Sequence, residues 1–343
     1  MTTILDVSRR AGVSKTTVSR VMSGKGRISE ATKQAVFKAI EELNYRPNVL
    51  AQSLTSQTTN SVGLIIPSGY HHSQYIMELM DLAYAMALEQ HKFLIITQTE
   101  SNDLASGMRA IQELVDRRCD GIMYYKTSHM EPAGNTEKLA KLIDELPIPL
   151  VVLNHHLPDK PDHCIWMDQS DTESIAVTKL IELGHKKIAY ICGPLNINTA
   201  RQRFQGYKNA LNQHHIELDP FLIVEAEPYL HGGYQACQQL LRRKVEFTAI
   251  ACHSDAIAIG ALRALREEKL SVPEDISLFG FDNEDISEYT YPPISTVSLP
   301  IREIVQQSCN LLFHKMDHTS APAHPLTELQ GQLIMRGSVK ALS

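Results

Sequence analysis

No run of about 18 uncharged apolar residues occurs anywhere in the 343-residue chain, which excludes an ordinary membrane-spanning helix. The opening MTTILDVSRR lacks both the apolar stretch and the small-residue cleavage site of a secretory signal, so the protein is expected in the cytoplasm. Cysteine is sparse and scattered: Cys119, Cys164, Cys192, Cys237, Cys252 and Cys309 stand singly, five of them in apolar or strand-like surroundings. That spacing speaks against a disulfide framework or a zinc site and for buried free thiols. No GxSxG elbow, Walker sequence or Rossmann glycine pattern is present, so no enzyme, catalytic residue or cofactor is expected. The adjacent pairs His71/His72, His155/His156 and His214/His215 cannot both face one side of a regular element, which argues against a bound metal and for display on loops.

What the chain does have is length, apolar content and an uneven charge. At 343 residues and 43% hydrophobic residues it can bury two or three cores. The net charge of -6 conceals a basic start. Residues 1–60 hold nine Lys or Arg against Asp6, Glu30, Glu41 and Glu42, which is +5 and leaves -11 for the remainder. A small basic module on an acidic body suits a protein that meets a polyanion with its first segment only, although a solvated basic surface gives the same count.

Three helical patterns fill that segment. Thr3 can cap a helix with Ile4, Val7 and Ala11 on one face, ended by Gly12. Ser14 can cap a second, with Val18, Val21 and Met22 inward and Lys15, Thr16, Thr17, Ser19 and Arg20 outward. Ser29 can cap a third, whose Val36, Ile40 and Leu43 close a small core. The first two have the proportions of a helix-turn-helix. Entering the major groove by its N-terminal end, the second helix would offer base edges the cation of Lys15, the hydroxyls of Thr16 and Thr17 and, a turn later, Arg20, while Ser14 and the helix N-terminus favour phosphate oxygens. A three-helix scaffold that binds protein is the competing reading.

The stretch TILDVSRRAGVSKTTVSRVMSGKGRISEATKQAVFKAIEELNYRPNVLAQSL resembles the N-terminal module of the LacI/GalR family of bacterial repressors, in both D-V-x-x-x-A-G-V-S-x-x-T-V-S-R and Y-x-P-N-x-x-A-x-x-L. The resemblance implies sequence-specific binding to a pseudo-palindromic operator in double-stranded DNA. It also gives a reading of Asn48 to Ser56, which at about nine residues is too short for a stable isolated helix: a hinge helix that forms on DNA, pairs with its twin and inserts Leu54 into the minor groove.

After Ser61 short apolar runs alternate with amphipathic helices. Strands are expected at 62–67, 93–98, 120–125, 149–154, 187–193, 248–253 and 276–282, with helices at 74–90, 103–118, 171–184, 200–213, 232–242 and 256–268. This alternation reads as parallel sheets covered on both faces. The units are too many for one ordinary sheet, and two sheets facing a cleft accommodate them. The family resemblance continues through ELGHKKIAYICGP, ARQRFQGY, SDAIAIGALRAL and ISLFGFDN. It implies an α/β periplasmic-binding-protein-like domain of two doubly wound parallel-sheet subdomains, with crossovers near 162–167, 292–297 and 323–329. The expected division is therefore a DNA-binding domain at 1–46, a hinge and linker at 47–60, and an effector and dimerisation domain at 61–343, its N-subdomain at 61–163 and 295–325 and its C-subdomain at 164–293 and 327–343.

Polar residues just after strands are the candidates for effector contact: Asp282, Asn154 and Asp255, with Arg203 in the loop and helix start after YICG, and Ser68 and Tyr125 behind them. Carboxylates and a guanidinium converging on a cleft suit sugar hydroxyls, each of which donates and accepts. In the family, residues matching Arg203 and Asp282 touch the effector. Asp255 could instead cap the helix it heads, whereas Arg203 has no comparable local role in sequence. Where a family aromatic stacks on the ligand, EAEPYLHGGY carries Pro228 and Tyr229, so Tyr229 supplies the ring or the pocket is shaped differently. The expected small-molecule effector is a sugar or sugar phosphate, with a β-glucoside or its phosphorylated form leading and a purine as the alternative. A sugar-binding protein without DNA function is the rival class, and it would have no use for residues 1–60. No heptad-patterned tail precedes Ser343, so a homodimer is expected, with no membrane association.

Overall fold

The structure, a computed structural model, describes residues 2–23, 27–45, 58–69, 73–126, 134–317 and 329–342. The chain divides into two compact units, Met1–Thr59 and Asn60–Ser343. The expected hinge residue Leu54 and the pair His71/His72 lie outside the described residues. Among the described residues no helix is long and apolar enough to cross a membrane.

In the first unit, α1 (Ile4–Ala11), α2 (Lys15–Ser23) and α3 (Glu30–Glu42) enclose Val7, Val18, Val21, Val36 and Ala39. Each completely buried valine contributes about 1.5–3 kcal/mol, so a core this small leans on its caps, worth about 1 kcal/mol apiece. Asp6 Oδ2 reaches back over the start of α1 and accepts from the Thr3 N–H at 2.9 Å and the Thr3 hydroxyl at 2.7 Å. Ser29 accepts from the Thr32 N–H at 3.3 Å. Gly12 ends α1 at φ +67°, a conformation that costs glycine little and lets the chain turn directly into α2. An Arg10–Glu42 ion pair at 2.6 Å links α1 to α3.

The second unit holds two parallel sheets. The first, ordered β2-β1-β3-β4-β5, comprises β1 (Ser61–Ile66), β2 (Phe93–Gln98), β3 (Gly121–Tyr125), β4 (Leu150–Leu153) and β5 (Cys164–Ile165). Between these strands run α4 (Gln74–Glu89), α5 (Leu104–Asp116) and α6 (Asn135–Glu145). The second sheet, ordered β7-β6-β8-β9, comprises β6 (Ile188–Cys192), β7 (Ile223–Glu225), β8 (Ala249–Cys252) and β9 (Ser277–Phe279). Its helices are α7 (Gln169–Glu182), α8 (Asn198–Gln213), α9 (Leu230–Arg242) and α10 (Asp255–Glu267), followed by the single turn α11 (Asp285–Glu288). Both sheets are buried on two faces, as parallel strands of Val, Ile and Leu require.

Chain order then reverses. A short strand β10 (Thr296–Ser298) leads to α12 (Ile301–Met316), which packs with α4 on the first sheet, and β11 (Gln332–Ile334) comes back to pair antiparallel with β10. The last two of the three crossovers thus share one ribbon, pairing Thr296 with Ile334 and Val297 with Leu333. The expected strand at 276–282 stops at Phe279 because the next N–H groups turn to this ribbon: Gly280 donates to the Ser295 carbonyl at 2.8 Å and Asp282 to the Val297 carbonyl at 2.9 Å. Neither α6 nor α12 was expected from the sequence, nor were β5, β7, β10 and β11, whose two or three residues are too short to show a period of two. All six cysteines are buried free thiols.

Candidate nucleic-acid interface and ligand cleft

On the first unit, α2 presents Lys15, Thr16, Ser19 and Arg20 outward, all exposed. Ser14 is the cap of this helix: its Oγ accepts from the Thr17 N–H at 3.0 Å and lies 2.8 Å from the Thr17 hydroxyl. Thr17, expected to face outward, is half-buried and engaged with that cap. The groups left facing solvent at the head of α2 are therefore the Lys15 ammonium and the Thr16 hydroxyl, with Arg20 one turn on. Arg20→Ala is expected to cost about 1–3 kcal/mol of discrimination between operator and random DNA. Competition binding checks this, and an equal loss on both DNAs would reduce Arg20 to a phosphate contact.

In the second unit the strand orders reverse between β1 and β3 and between β6 and β8, and crevices at such switch points, beyond the carboxyl ends of the strands, are where open α/β sheets bind ligands. Tyr125 ends β3, and Ser68 and Asn154 follow the neighbouring strands β1 and β4. Ser68 is held through its backbone, the N–H to Thr99 Oγ1 at 3.3 Å and the carbonyl accepting from Asn102 at 3.5 Å. Asn154 turns at φ +62° with its N–H on the Ile165 carbonyl.

The second sheet supplies the charged wall. Arg203 lies in the second turn of α8, not in the loop before it, and is 5% exposed. Its guanidinium donates through Nε to Gln169 Oε1 at 2.7 Å, through Nη1 to the His253 carbonyl and through Nη2 to Asp282 Oδ1 at 2.7 Å, and it lies 3.7 Å over the Phe281 ring. The sequence suggested no local role for this arginine, and the fold gives it four neighbours. Gly206, one turn on, allows this approach of α8 to α7, since a Cβ there would stand 2.2 Å from the Ser170 carbonyl oxygen.

Asp282 sits at φ +100° and Asn283 at φ +54°. A left-handed conformation at a non-glycine residue costs about 1–3 kcal/mol and persists where the surroundings impose it. Asp255 is completely buried and does not cap α10; Ser254 does, accepting from the Ile257 N–H at 3.3 Å. Asp255 Oδ2 instead accepts from the Glu284 N–H at 2.8 Å, supporting the Asp282 turn from behind. Burial first, and the nearby Asp282 charge in addition, push the Asp255 and Glu284 carboxyls up to about 7 each. On α7, Glu173 is 2% exposed, and burial raises its carboxyl to about 8 against the pull of Arg203.

Two residues the sequence reading passed over close the cleft from the other side. Tyr75, in the first turn of α4, has its hydroxyl raised by burial and by the Asp282 charge, and its ring lies 6.0 Å from that of Tyr125. Gln74 Oε1 accepts the Asp285 N–H at 2.9 Å, joining the first turn of α4 to the segment after Asp282. The signal available in sequence was a polar and aromatic pair directly after the cap Ser73, following the loop from β1. Tyr229 stands at the head of α9 after the edge strand β7 and is 55% exposed, while Phe281 stacks under Arg203 and Tyr75 feels the charges of Arg203 and Asp282. Of the paired histidines, His156 packs on Trp166 at 4.3 Å, while burial and the neighbouring Lys126 lower His155 to about 4.

Comparison with known proteins finds relatives for both units. Residues 3–48 match the profile of bacterial regulatory proteins of the lacI family, and residues 177–339 match a periplasmic binding protein-like domain. The HTH-type transcriptional regulator AscG of Escherichia coli K12 is 38% identical over 343 residues, covering all of both chains. A crystal structure of the Lac repressor dimer bound to operator and the anti-inducer ONPF superposes with a TM-score of 0.86 at 26% identity, over 99% of each chain. A complex of the transcriptional regulator CelR with cellobiose gives 0.70 at 26% identity, over 98% of this chain and 100% of that one. A basic helix-turn-helix, a two-sheet body with a polar cleft and full-length similarity to regulators, not enzymes, coincide in one molecule, and the chain belongs to the LacI family of DNA-binding transcriptional repressors.

Proposed function

We propose that this repressor acts in the cytoplasm as a homodimer whose two helix-turn-helix units, residues 1–46, read the halves of a pseudo-palindromic operator. A sugar in the cleft of residues 61–343 sets its affinity for that operator. The observation that carries the first part is the exposed head of α2, where Lys15, Thr16 and Arg20 stand on a helix whose cap Ser14 is already engaged. Residues 47–60 serve as the hinge, with Leu54 as the minor-groove wedge. For the second subunit, Met77, Tyr84 and Leu88 of α4 and Phe93 at the edge strand β2 are each more than half exposed. Large apolar groups on one helix and an adjoining strand edge suit an interface between two copies.

Arg203, Asp282 and Tyr75 are the effector contacts in this reading, with Asn154, Ser68 and Tyr125 around them and Asp255 holding the Asp282 turn from behind. A guanidinium, carboxylates and aromatic hydroxyls match a polyol. The CelR structure, similar over 98% of this chain, holds cellobiose, which favours a neutral β-glucoside as the effector.

Two measurements test the reading. Affinity for a palindromic duplex selected with the wild-type protein is expected to fall steeply with salt; a log-log slope near zero would remove the DNA contact. A thermal-shift panel of glucose, cellobiose, their 6-phosphates, galactose and purine bases is expected to show stabilisation by a neutral glucoside, whereas stabilisation by a purine alone would reassign the effector.

A further inference from the structure

The turn from Asp282 to Asp285 touches three things at once. At its start Asp282 pairs with Arg203 at 2.7 Å. At its end the Asp285 N–H reaches across to Gln74 on α4 at 2.9 Å. Behind it stands Arg336, on the chain just after β11, with a side chain 15% exposed. Arg336 Nη2 donates to Asn283 Oδ1 at 2.7 Å, and Nη1 donates to the Ile294 carbonyl at 2.8 Å and to Ser287 Oγ at 3.2 Å. Its own N–H donates to Ser295 Oγ at 2.9 Å, and Glu288 Oε2 lies 4.0 Å from Nη2.

The crossover ribbon meets the same turn from its other strand. The Thr296 hydroxyl accepts the Asn283 N–H at 3.2 Å, and the Val297 carbonyl accepts the Asp282 N–H at 2.9 Å. Both Thr296 and Val297 belong to β10, paired with β11 immediately before Arg336. The left-handed backbone at Asp282 and Asn283 is therefore gripped on both sides by two of the segments that join one sheet to the other. Such a conformation persists only where its surroundings over-determine it, and a planar guanidinium serving three acceptors from one position does this as a lysine could not.

We propose that Arg336, acting through Asn283, is a positioning residue that locks the Asp282–Asp285 turn to the crossover ribbon, so that occupation of Asp282 by an effector is transmitted to the Gln74–Asp285 bond across the cleft. The inference rests on the effector reading above. Its consequence is that binding and response separate: loosening the turn leaves a repressor that still takes ligand and still takes DNA while the two no longer influence each other. Coupling of this kind exists only as a difference in ligand affinity between two states, and that difference needs a rigid element that both states read.

The experiment uses the full chain, the selected palindromic duplex and cellobiose, or whichever other sugar of the panel raises the wild-type melting temperature. The quantity read is the ratio of operator Kd with and without saturating sugar, expected to be about fivefold or more in the wild type. Asn283→Ala, which removes the acceptor and leaves the other bonds of Arg336 in place, is expected to bring that ratio close to 1 while lowering the melting temperature only modestly, since alanine is less at ease than asparagine at φ +54°. Asn283→Asp keeps an acceptor for Arg336 and is expected to restore the ratio. Arg336→Lys is expected to behave like Asn283→Ala. A wild-type ratio in Asn283→Ala, or failure of Asn283→Asp to restore it, overturns this inference alone. A wild-type protein whose operator affinity no sugar changes overturns the effector reading and takes this inference with it.

Discussion

Arg203→Ala is expected to yield a repressor that binds operator and ignores the sugar, the ratio of operator affinities with and without it collapsing to about 1. The guanidinium, 6% exposed, is the centre on which Gln169, the His253 carbonyl and Asp282 converge. Truncation strands all three and leaves Asp282, 20% exposed, without its counter-charge. Losing one partner of a buried pair costs on the order of 3–5 kcal/mol, so the body should also unfold at lower urea while the helix-turn-helix unit, with its own core, keeps its DNA contacts. Arg203→Lys should recover part of the stability and little of the response, because an ammonium cannot serve three directions from one plane. Urea titration and anisotropy on labelled operator measure the two effects, and a retained response would move the effector site elsewhere.

Raising the pH from 5 to 8.5 is expected to destabilise the body, and Glu173→Gln to remove much of that loss. Burial raises the Glu173 carboxyl from the ordinary 4.5 to about 8 in the fold and that of Asp255 from 3.8 to about 7. The folded state therefore holds protons that the unfolded chain releases. Stability is fully present below the unfolded values and drains away as pH rises through the folded ones. Each unit of pKa corresponds to about 1.4 kcal/mol, so removing Glu173 should gain on the order of a few kcal/mol at pH 8.5 and almost nothing at pH 5. Its Oε2 has no hydrogen-bond partner, and an amide there has no charge to desolvate. Parallel pH profiles for the two proteins would show that Glu173 is already solvated or ionised in the fold.

Much of this was legible in the chain, for reasons that differ by region. The three helices of the first unit could be placed within a residue or two because periodicity and caps act over about four positions: Thr3, Gly12, Ser14 and Ser29 stand where the helices begin and end. The alternation of apolar runs and helices was legible for the same reason. Thr17 was read as facing outward and is half-buried beside Ser14, a distinction the pattern cannot draw between a hydroxyl that faces a groove and one that completes a cap. Helix α12 escaped notice, and its place beside α4 on the first sheet is a matter of where the chain returns, not of its own pattern.

At the cleft, sequence picked out Asp282, Asn154, Asp255, Ser68 and Tyr125 as residues at or after strand ends and Arg203 on the following helix, with the family resemblance singling out Arg203 and Asp282. The partners of Arg203 stand 34, 50 and 79 residues away, and no local rule spans such distances. Asp255 could be named as a cap or a contact, and only the folded chain shows its oxygen turned to the Glu284 N–H. Tyr75 and Gln74 read as the unremarked first turn of a helix until α4 is set opposite the Asp282 turn.

By itself, then, the sequence determined a basic helix-turn-helix, an α/β body of parallel sheets and the family to which both belong, because charge, periodicity and capping are properties of neighbouring residues. Which side chains share a cleft, which carboxyls hold their protons and which segments grip the Asp282 turn were decided by the tertiary structure. Burial, desolvation and long-range hydrogen bonds exist only once distant parts of the chain are brought together.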